Sequence, residues 1–392
     1  MSNAVKLTIS SDVPGAKIFM LGNEAIARGA IEAGVQVVAA YPGTPSTEIA
    51  ETLIRLSKDF GYYAEWSVNE KVAFGVAMGA SWCNTRALAI MKHVGMNLAL
   101  DQITSAAYVG AVGGLVLVEA EDPGQWSSQV EQDNRYLAEL SYLPVLEPSS
   151  AQEAKDMVAE SFDLSEKYHQ PFMIRSVTRV GHARGDVALG EIKKTHKLSE
   201  FVPDPARFIL LPANSRKLRQ GMVERLAKIK EAVNSLSYNQ LKIKTGAKLG
   251  IITAGISYSY VLEALALLNL EEKTSVLKIG TPYPLPEKLV KELLHSVSEV
   301  LVVEELEPFI ETHVKALAQE SGLQVRIHGK DMVKLVGELS TRKAAESIIK
   351  LTGAKSPVDF TRIDQTVNEV ETMLPSRPPS LCAGCPHRGT YY

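Results

Sequence analysis

The 392-residue chain is poor in cysteine, and that scarcity narrows its chemistry first. It has three, Cys83, Cys382 and Cys385, too few for the disulfide framework of a small secreted fold. Two thiolates at Cys382-x-x-Cys385 cannot close a four-cysteine iron–sulfur site by themselves. No apolar run is long enough to span a bilayer, so no membrane role is expected. The N-terminus lacks the charged and apolar regions of a signal peptide, and with reduced cysteines the expected compartment is the cytoplasm. Basic runs are missing too. With a net charge of -3, nothing points to nucleic acid or another polyanion. No internal repeat is visible.

What remains is an ordinary globular balance, 45% hydrophobic and 22% charged, in a chain long enough for two or three domains. Residues 22–176 alternate helix and strand. Asn23 to Ala33 reads as a helix ended by Gly34, and Val35 to Ala40 as a buried strand. Helix is expected over Ser46 to Leu56 and Asn69 to Trp82. Strands are expected over Tyr62 to Ser67, Ala87 to Lys92, Leu115 to Glu119, Val145 to Glu147 and Phe172 to Arg175. Such alternation predicts a parallel sheet covered on both faces. Residues 180–245 read as a proline-containing connector with a charged helix from Arg219 to Ser235, a solvated brace. A second α/β unit begins at Leu249, with strands expected at Val276 to Ile279, Val300 to Glu304 and Gln324 to His328. From Thr352 to Ser380 an irregular linker is expected.

Three polar turns fall where strands of the first unit end: Tyr41-Pro42-Gly43-Thr44-Pro45-Ser46-Thr47-Glu48, Trp66-Ser67-Val68-Asn69-Glu70-Lys71 and Met91-Lys92-His93-Val94-Gly95-Met96-Asn97. Ligands of open α/β sheets bind beyond the carboxyl ends of the strands, so the turns predict one side of a single site. Prolines stiffen the first turn, and Gly43 lets backbone approach a ligand. The helix start there suits an anion such as a carboxylate; equally, Ser46 or Thr47 is simply a cap. Glu70 heads a helix, where the dipole favours negative charge, with Val72, Ala73, Phe74 and Val76 available as an apolar surround. The plain alternative is a first-turn glutamate beside a cap. Lys92 is suited to pairing with a carboxylate and His93 to moving protons near neutral pH, or both are ordinary strand-end residues. Asn97 caps the next helix or lines the pocket.

The order of these motifs, with Leu381-Cys382-Ala383-Gly384-Cys385-Pro386-His387-Arg388-Gly389-Thr390 at the tail, resembles the alpha subunit of indolepyruvate:ferredoxin oxidoreductase. That enzyme belongs to the thiamine-diphosphate-dependent 2-oxoacid:ferredoxin oxidoreductase superfamily. The resemblance implies an α/β architecture. A pyrimidine-binding domain for thiamine diphosphate (1–180) and a connector (181–245) precede a transketolase C-terminal-like domain (246–352). Residues 353–392 would be a linker and the start of a diphosphate-binding domain. It implies oxidative decarboxylation of an indolepyruvate- or arylpyruvate-type 2-oxoacid, with coenzyme A taking the acyl group and ferredoxin the electrons. Glu70 would activate the cofactor with Lys92 and His93 beside it. Thr44 would bind substrate, and Pro42, Gly43, Gly95 and Asn97 would line the cofactor site. The loop Gln125 to Arg135 also matches, which places Arg135 at substrate, at a subunit interface or on the surface.

The family holds Mg2+ on the diphosphate with a Gly-Asp-Gly and a downstream Asn; Gly185-Asp186-Val187 is not that motif. Partners are therefore expected: a beta subunit and a diphosphate-binding chain or domain. At Cys382 and Cys385 the resemblance implies part of a [4Fe-4S] site, against zinc or a bare thiol pair, and Pro386-His387 departs from the cluster pattern. The competing readings are a non-catalytic assembly or regulatory subunit and, third, another thiamine enzyme.

Overall fold

The computed structural model describes residues 7–194, 200–376, 381, 384, 385 and 388–391. Among the described residues thirteen strands run in order: β1 Lys17–Leu21, β2 Val37–Ala40, β3 Tyr63–Trp66, β4 Ala87–Lys92, β5 Leu115–Glu121, β6 Val145–Leu146 and β7 Phe172–Val177. They continue with β8 Arg184–Ala188, β9 Gln240–Lys242, β10 Leu249–Ala254, β11 Thr274–Ile279, β12 Glu299–Val303 and β13 Arg326–His328. A six-stranded sheet has the order β3-β2-β4-β5-β7-β6, and every pairing in it is parallel.

Alternation along the strands explains the two covered faces. Leu88 and Ile90 of β4 join Val116 and Val118 of β5 in one apolar cluster. Ala87, Ala89 and Met91 join Leu115 and Leu117 in another, with Phe74 and Ala77 from the helix Glu70–Trp82. Both faces are apolar, so the strands read as continuous apolar runs.

The second sheet has the order β13-β12-β10-β11-β9. It is parallel except for β9, which lies antiparallel to β11 at the edge. Three features depart from expectation. β1 and β8 form a separate antiparallel pair. β9 lies inside the expected connector. The stretch after Thr352, expected to be irregular, contains the helix Phe360–Met373, capped by Asp359, whose side chain accepts from Arg362 N at 3.0 Å. Each missed strand is short and lies outside the alternation of helix and strand.

The connector helix spans Pro212–Ala232. It is a brace, but not a purely solvated one. Arg225 donates to Ala107 O at 2.7 Å, while Arg207, just before it, donates to Val109 O and Ala111 O at 3.0 Å. Both cations sit at the carboxyl end of the helix His93–Val109, where the dipole favours them. The two α/β units dock through Val145 N to Tyr283 O at 2.7 Å and Glu147 N to Gly280 O at 2.9 Å.

Candidate active site

The polar turns meet where the sheet order reverses. β3 lies on one side of β2 and β4 on the other, so the crevice outside β2 and β4 is the switch point of the sheet, the usual ligand position. Gly43, after β2, packs on the Lys92 stem at the end of β4: a Cβ on Gly43 would lie 2.8 Å from Lys92 Cβ. The turn is held internally by Gly43 N donating to Thr47 Oγ1 at 2.9 Å and Ser46 Oγ donating to Gly43 O at 2.8 Å. These bonds occupy Ser46 and Thr47 and leave Thr44 and Pro42 exposed at the rim. The Thr44–Pro45 bond is cis.

Glu70 begins its helix after Asn69, whose side chain accepts from Val72 N at 2.9 Å. Its residue surface is only 9% exposed, yet among the described residues no hydrogen bond or ion pair engages its carboxylate. The space for it comes from Gly95: a Cβ there would lie 2.3 Å from Glu70 Cγ and 2.5 Å from Oε1. Thus Glu70 and Gly95, expected as cofactor-contacting residues, are in direct contact with each other. The expected apolar surround is differently built. Ala73 and Phe74 point into the core, while Val72 is exposed together with Trp66, Val68, Leu98 and Val130. A carboxylate at the positive end of a helix, nearly buried and unpaired, fits an external hydrogen-bond donor such as a protonated or amino-bearing heterocycle.

Lys92 does not pair with a carboxylate. Its ammonium donates to Ser127 O at 2.9 Å, and burial pulls its pKa down. His93 is fully buried, with Nε2 3.1 Å from Val130 O. Burial holds its pKa below the ordinary value, so the imidazole is neutral near pH 7. Asn97 is exposed and exchanges two bonds of 2.9 Å with Gln132. All three therefore hold the loop between β5 and Arg135 against the site.

That loop also contains residues the sequence reading passed over. Asn134 Nδ2 bridges His93 O at 2.9 Å and Glu119 Oε1 at 3.1 Å. Glu119 is completely buried and its other oxygen has no partner. Burial and the neighbouring Glu121 push its pKa well above the ordinary carboxyl value. Two acids inside the apolar run Leu115–Glu121 were the available signal.

Arg135 corrects an expectation. It faces neither substrate nor solvent. It is completely buried, donating to Asp133 at 2.5 Å, Glu304 at 2.7 Å and Glu305 O at 2.9 Å. It is a strut between the two α/β units. Arg175 acts beside it, paired with Glu121 and, at 2.7 Å, with Glu147. Cys382 lies outside the described residues. Among those residues no group of three or more His, Cys, Asp or Glu could hold a metal ion. Cys83 is half-buried at the end of the Glu70 helix.

An open, doubly covered parallel sheet with polar turns at its switch point defines a doubly wound α/β protein, and comparison narrows the class. Residues 28–225 match the pyruvate flavodoxin/ferredoxin oxidoreductase, thiamine-diphosphate-binding family, and residues 239–369 match the indolepyruvate oxidoreductase domain. The chain belongs to the former family. It is 47% identical over 386 residues to indolepyruvate oxidoreductase subunit IorA of Thermococcus kodakarensis, covering 97% of this chain and 60% of that protein. The IorA subunit of Archaeoglobus fulgidus is 47% identical over 390 residues, 61% of its length. The chain thus spans about 60% of the length of the curated relatives it matches. The fold is shared with 2-oxoglutarate:ferredoxin oxidoreductase from Magnetococcus marinus at a TM-score of 0.69 and 16% identity, covering 85% of this chain and 65% of the other. Among the described residues no helix is long and apolar enough to cross a membrane.

Proposed function

We propose that this chain is the alpha-subunit portion of a 2-oxoacid:ferredoxin oxidoreductase of the indolepyruvate or arylpyruvate type. The observation that carries the reading is Glu70, held nearly buried at a helix start with no protein donor, in the family-matched domain. Thiamine diphosphate, when bound, supplies the nucleophilic carbon that attacks the 2-oxo group and accepts the electron pair released with carbon dioxide.

In this reading Glu70 receives a hydrogen bond from the aminopyrimidine ring and biases where that ring carries its proton. Gly95 keeps the carboxylate space open. Thr44, exposed on the turn after β2, offers its hydroxyl to the substrate carboxylate. Lys92 and His93 fix the loop that walls the pocket, and the neutral His93 keeps an extra positive charge away from it. Pro42 and Gly43 shape the near wall and Asn97 the far one. Mg2+ and the diphosphate are held by a separate diphosphate-binding chain or domain. A beta subunit, coenzyme A and ferredoxin complete the reaction, which takes place in the cytoplasm. Any [4Fe-4S] cluster draws at least half of its four thiolates from elsewhere, since Cys382 and Cys385 supply at most two.

The test is calorimetric titration of thiamine diphosphate with magnesium into the chain alone and into the assembled enzyme. The reading expects binding in the assembly that weakens in Glu70→Ala. Assembly without any binding would overturn it.

A further inference from the structure

A second cleft adjoins the Thr44 turn, and none of the roles assigned above uses it. It has a volume of ≈ 300 Å³ and is lined by Trp126, Thr178, Arg179, His182 and Ala183. That is the small end of the range for small-molecule sites. It lies beyond the carboxyl ends of β5 and β7, on the same edge of the sheet as Thr44 and Lys92.

Two chains of contacts tie it to the turn. On one side His182 Nε2 is 3.4 Å from Glu48 Oε2. Asn23 Nδ2 in turn donates to Glu48 Oε2 at 2.9 Å and to Pro45 O at 2.8 Å. On the other side Ser127, next to Trp126, accepts from Lys92 Nζ. Lys92 itself packs on Gly43.

Trp126 is unusual in being 68% exposed yet fixed. Its indole N–H donates to Glu338 Oε2 at 3.2 Å, and the same carboxylate takes the Arg179 guanidinium at 2.7 Å through Nη2. An indole and a guanidinium are therefore held side by side by one acceptor, with the indole largely free. The charges decide what suits this place. Both basic residues of the lining are already matched, Arg179 by Glu338 and His182 by Glu48, and Asp122 accepts from the lining Thr178 Oγ1 at 3.1 Å. An anion entering here would find both basic side chains already matched by carboxylates. An uncharged aromatic ring would meet an indole and a guanidinium, both of which favour stacking.

Resting on the 2-oxoacid reading, we propose that this cleft receives the aromatic side chain of the substrate while its carboxylate end lies at the Thr44 turn, which makes Trp126 a specificity-determining residue.

The experiment compares kcat/KM of the assembled enzyme for indolepyruvate and phenylpyruvate with that for pyruvate, in the wild type, Trp126→Ala and Trp126→Phe. The aryl-to-aliphatic ratio should fall about tenfold or more in Trp126→Ala, mostly through KM, on the scale of losing one apolar contact face. Trp126→Phe should restore most of it. An unchanged ratio would overturn the proposal, as would an equal loss for all substrates accompanied by a lower melting temperature, the sign of a purely structural strut to Glu338. Should the wild-type assembly turn over no 2-oxoacid, the functional reading fails by itself. The cleft is then judged by tryptophan fluorescence of the chain titrated with phenylpyruvate. Quenching that Trp126→Phe removes supports the cleft, and quenching that survives the substitution, or none at all, overturns it.

Discussion

Two regions of this molecule hold buried charge, and they treat it in opposite ways. At the docking surface between the α/β units Arg135 is engaged by Asp133, Glu304 and two backbone carbonyls, and Arg175 by Glu121 and Glu147. At the switch point of the first sheet Glu70 is engaged by nothing in the described protein. The Glu70 residue is nearly covered, but its oxygens are not among the buried unpartnered atoms, so the carboxylate stays open to water or a ligand. A fully spent charge therefore reads as architecture, and an unspent one as a place kept for something else. Residue type does not make the distinction: both are ordinary ionisable side chains within a few residues of a helix start.

The sharpest way to break this comparison is to remove each charge in turn. Glu70→Gln in the assembled enzyme should lower kcat by about 10²–10⁴-fold, the range for losing a positioned acid–base group, while the thermal unfolding midpoint stays close to wild type. Undiminished turnover would end the assignment. Arg135→Ala should do the reverse. It strands Asp133 and Glu304 in the interior, and breaking a buried pair costs about 3–5 kcal/mol, to be read from chemical denaturation of the chain. A loss below about 1 kcal/mol would place Arg135 among weakly contributing surface pairs.

Both residues were visible in the sequence, but only one was legible. The Asn69-Glu70 helix start, the strand over Ala87 to Lys92 and the turn at Thr44 follow from local signals: a cap, an unbroken apolar run, and prolines with glycine between strand and helix. The role of Arg135 depends on Glu304, far away in sequence and in the other α/β unit, so no local pattern reports it. The same holds for Asn134, whose two acceptors come from β5 and from the start of the helix His93–Val109. The pair β1–β8 joins segments from opposite ends of the first unit, and short edge strands carry little periodicity. The helix Phe360–Met373 was hidden for a different reason. It leaves Ile363, Val367 and Val370 exposed, so its apolar spacing has no buried face to satisfy within the described chain.

Gly95 links the two treatments, because its bare backbone is what lets Glu70 stay unpaired without being crushed. Gly95→Ala would place a methyl 2.3 Å from Glu70 Cγ, so the carboxylate must move. Overpacking of this kind costs about 1–3 kcal/mol, and the displaced carboxylate should lower turnover more than stability. Gly43→Ala is the matched comparison, since its methyl would meet Lys92 Cβ at 2.8 Å, a lesser overlap whose nearest atoms all belong to Lys92 and not to Glu70. Its effect on kcat should be the smaller of the two. Equal losses in steady-state kinetics would show that crowding alone, and not the position of Glu70, sets the rate.

The smallest expected effect tests the docking surface by pH. Glu305 is buried, and its pKa is raised from 4.5 to about 7, first by burial. The folded state therefore holds a proton there that the unfolded chain releases above about 4.5, so this group's contribution is fully present below that pH. It is lost as pH rises through about 7. Glu121 behaves alike, raised to about 7 by burial against the opposing pull of Arg175. His93 works the other way, because its lowered pKa destabilises the fold as pH drops below its ordinary range, so the raw stability profile mixes opposing slopes. Glu305→Gln isolates one of them while keeping the acceptor for Leu339 N, 3.1 Å away in the wild type. Relative to the wild type, its denaturation midpoint should rise progressively between about pH 5 and pH 8. A difference that is flat with pH would mean that Glu305 is ionised in the folded protein, with cations such as Arg175 and Lys330 holding it so. The excess of buried acid at this surface would then be balanced by charge rather than by protons.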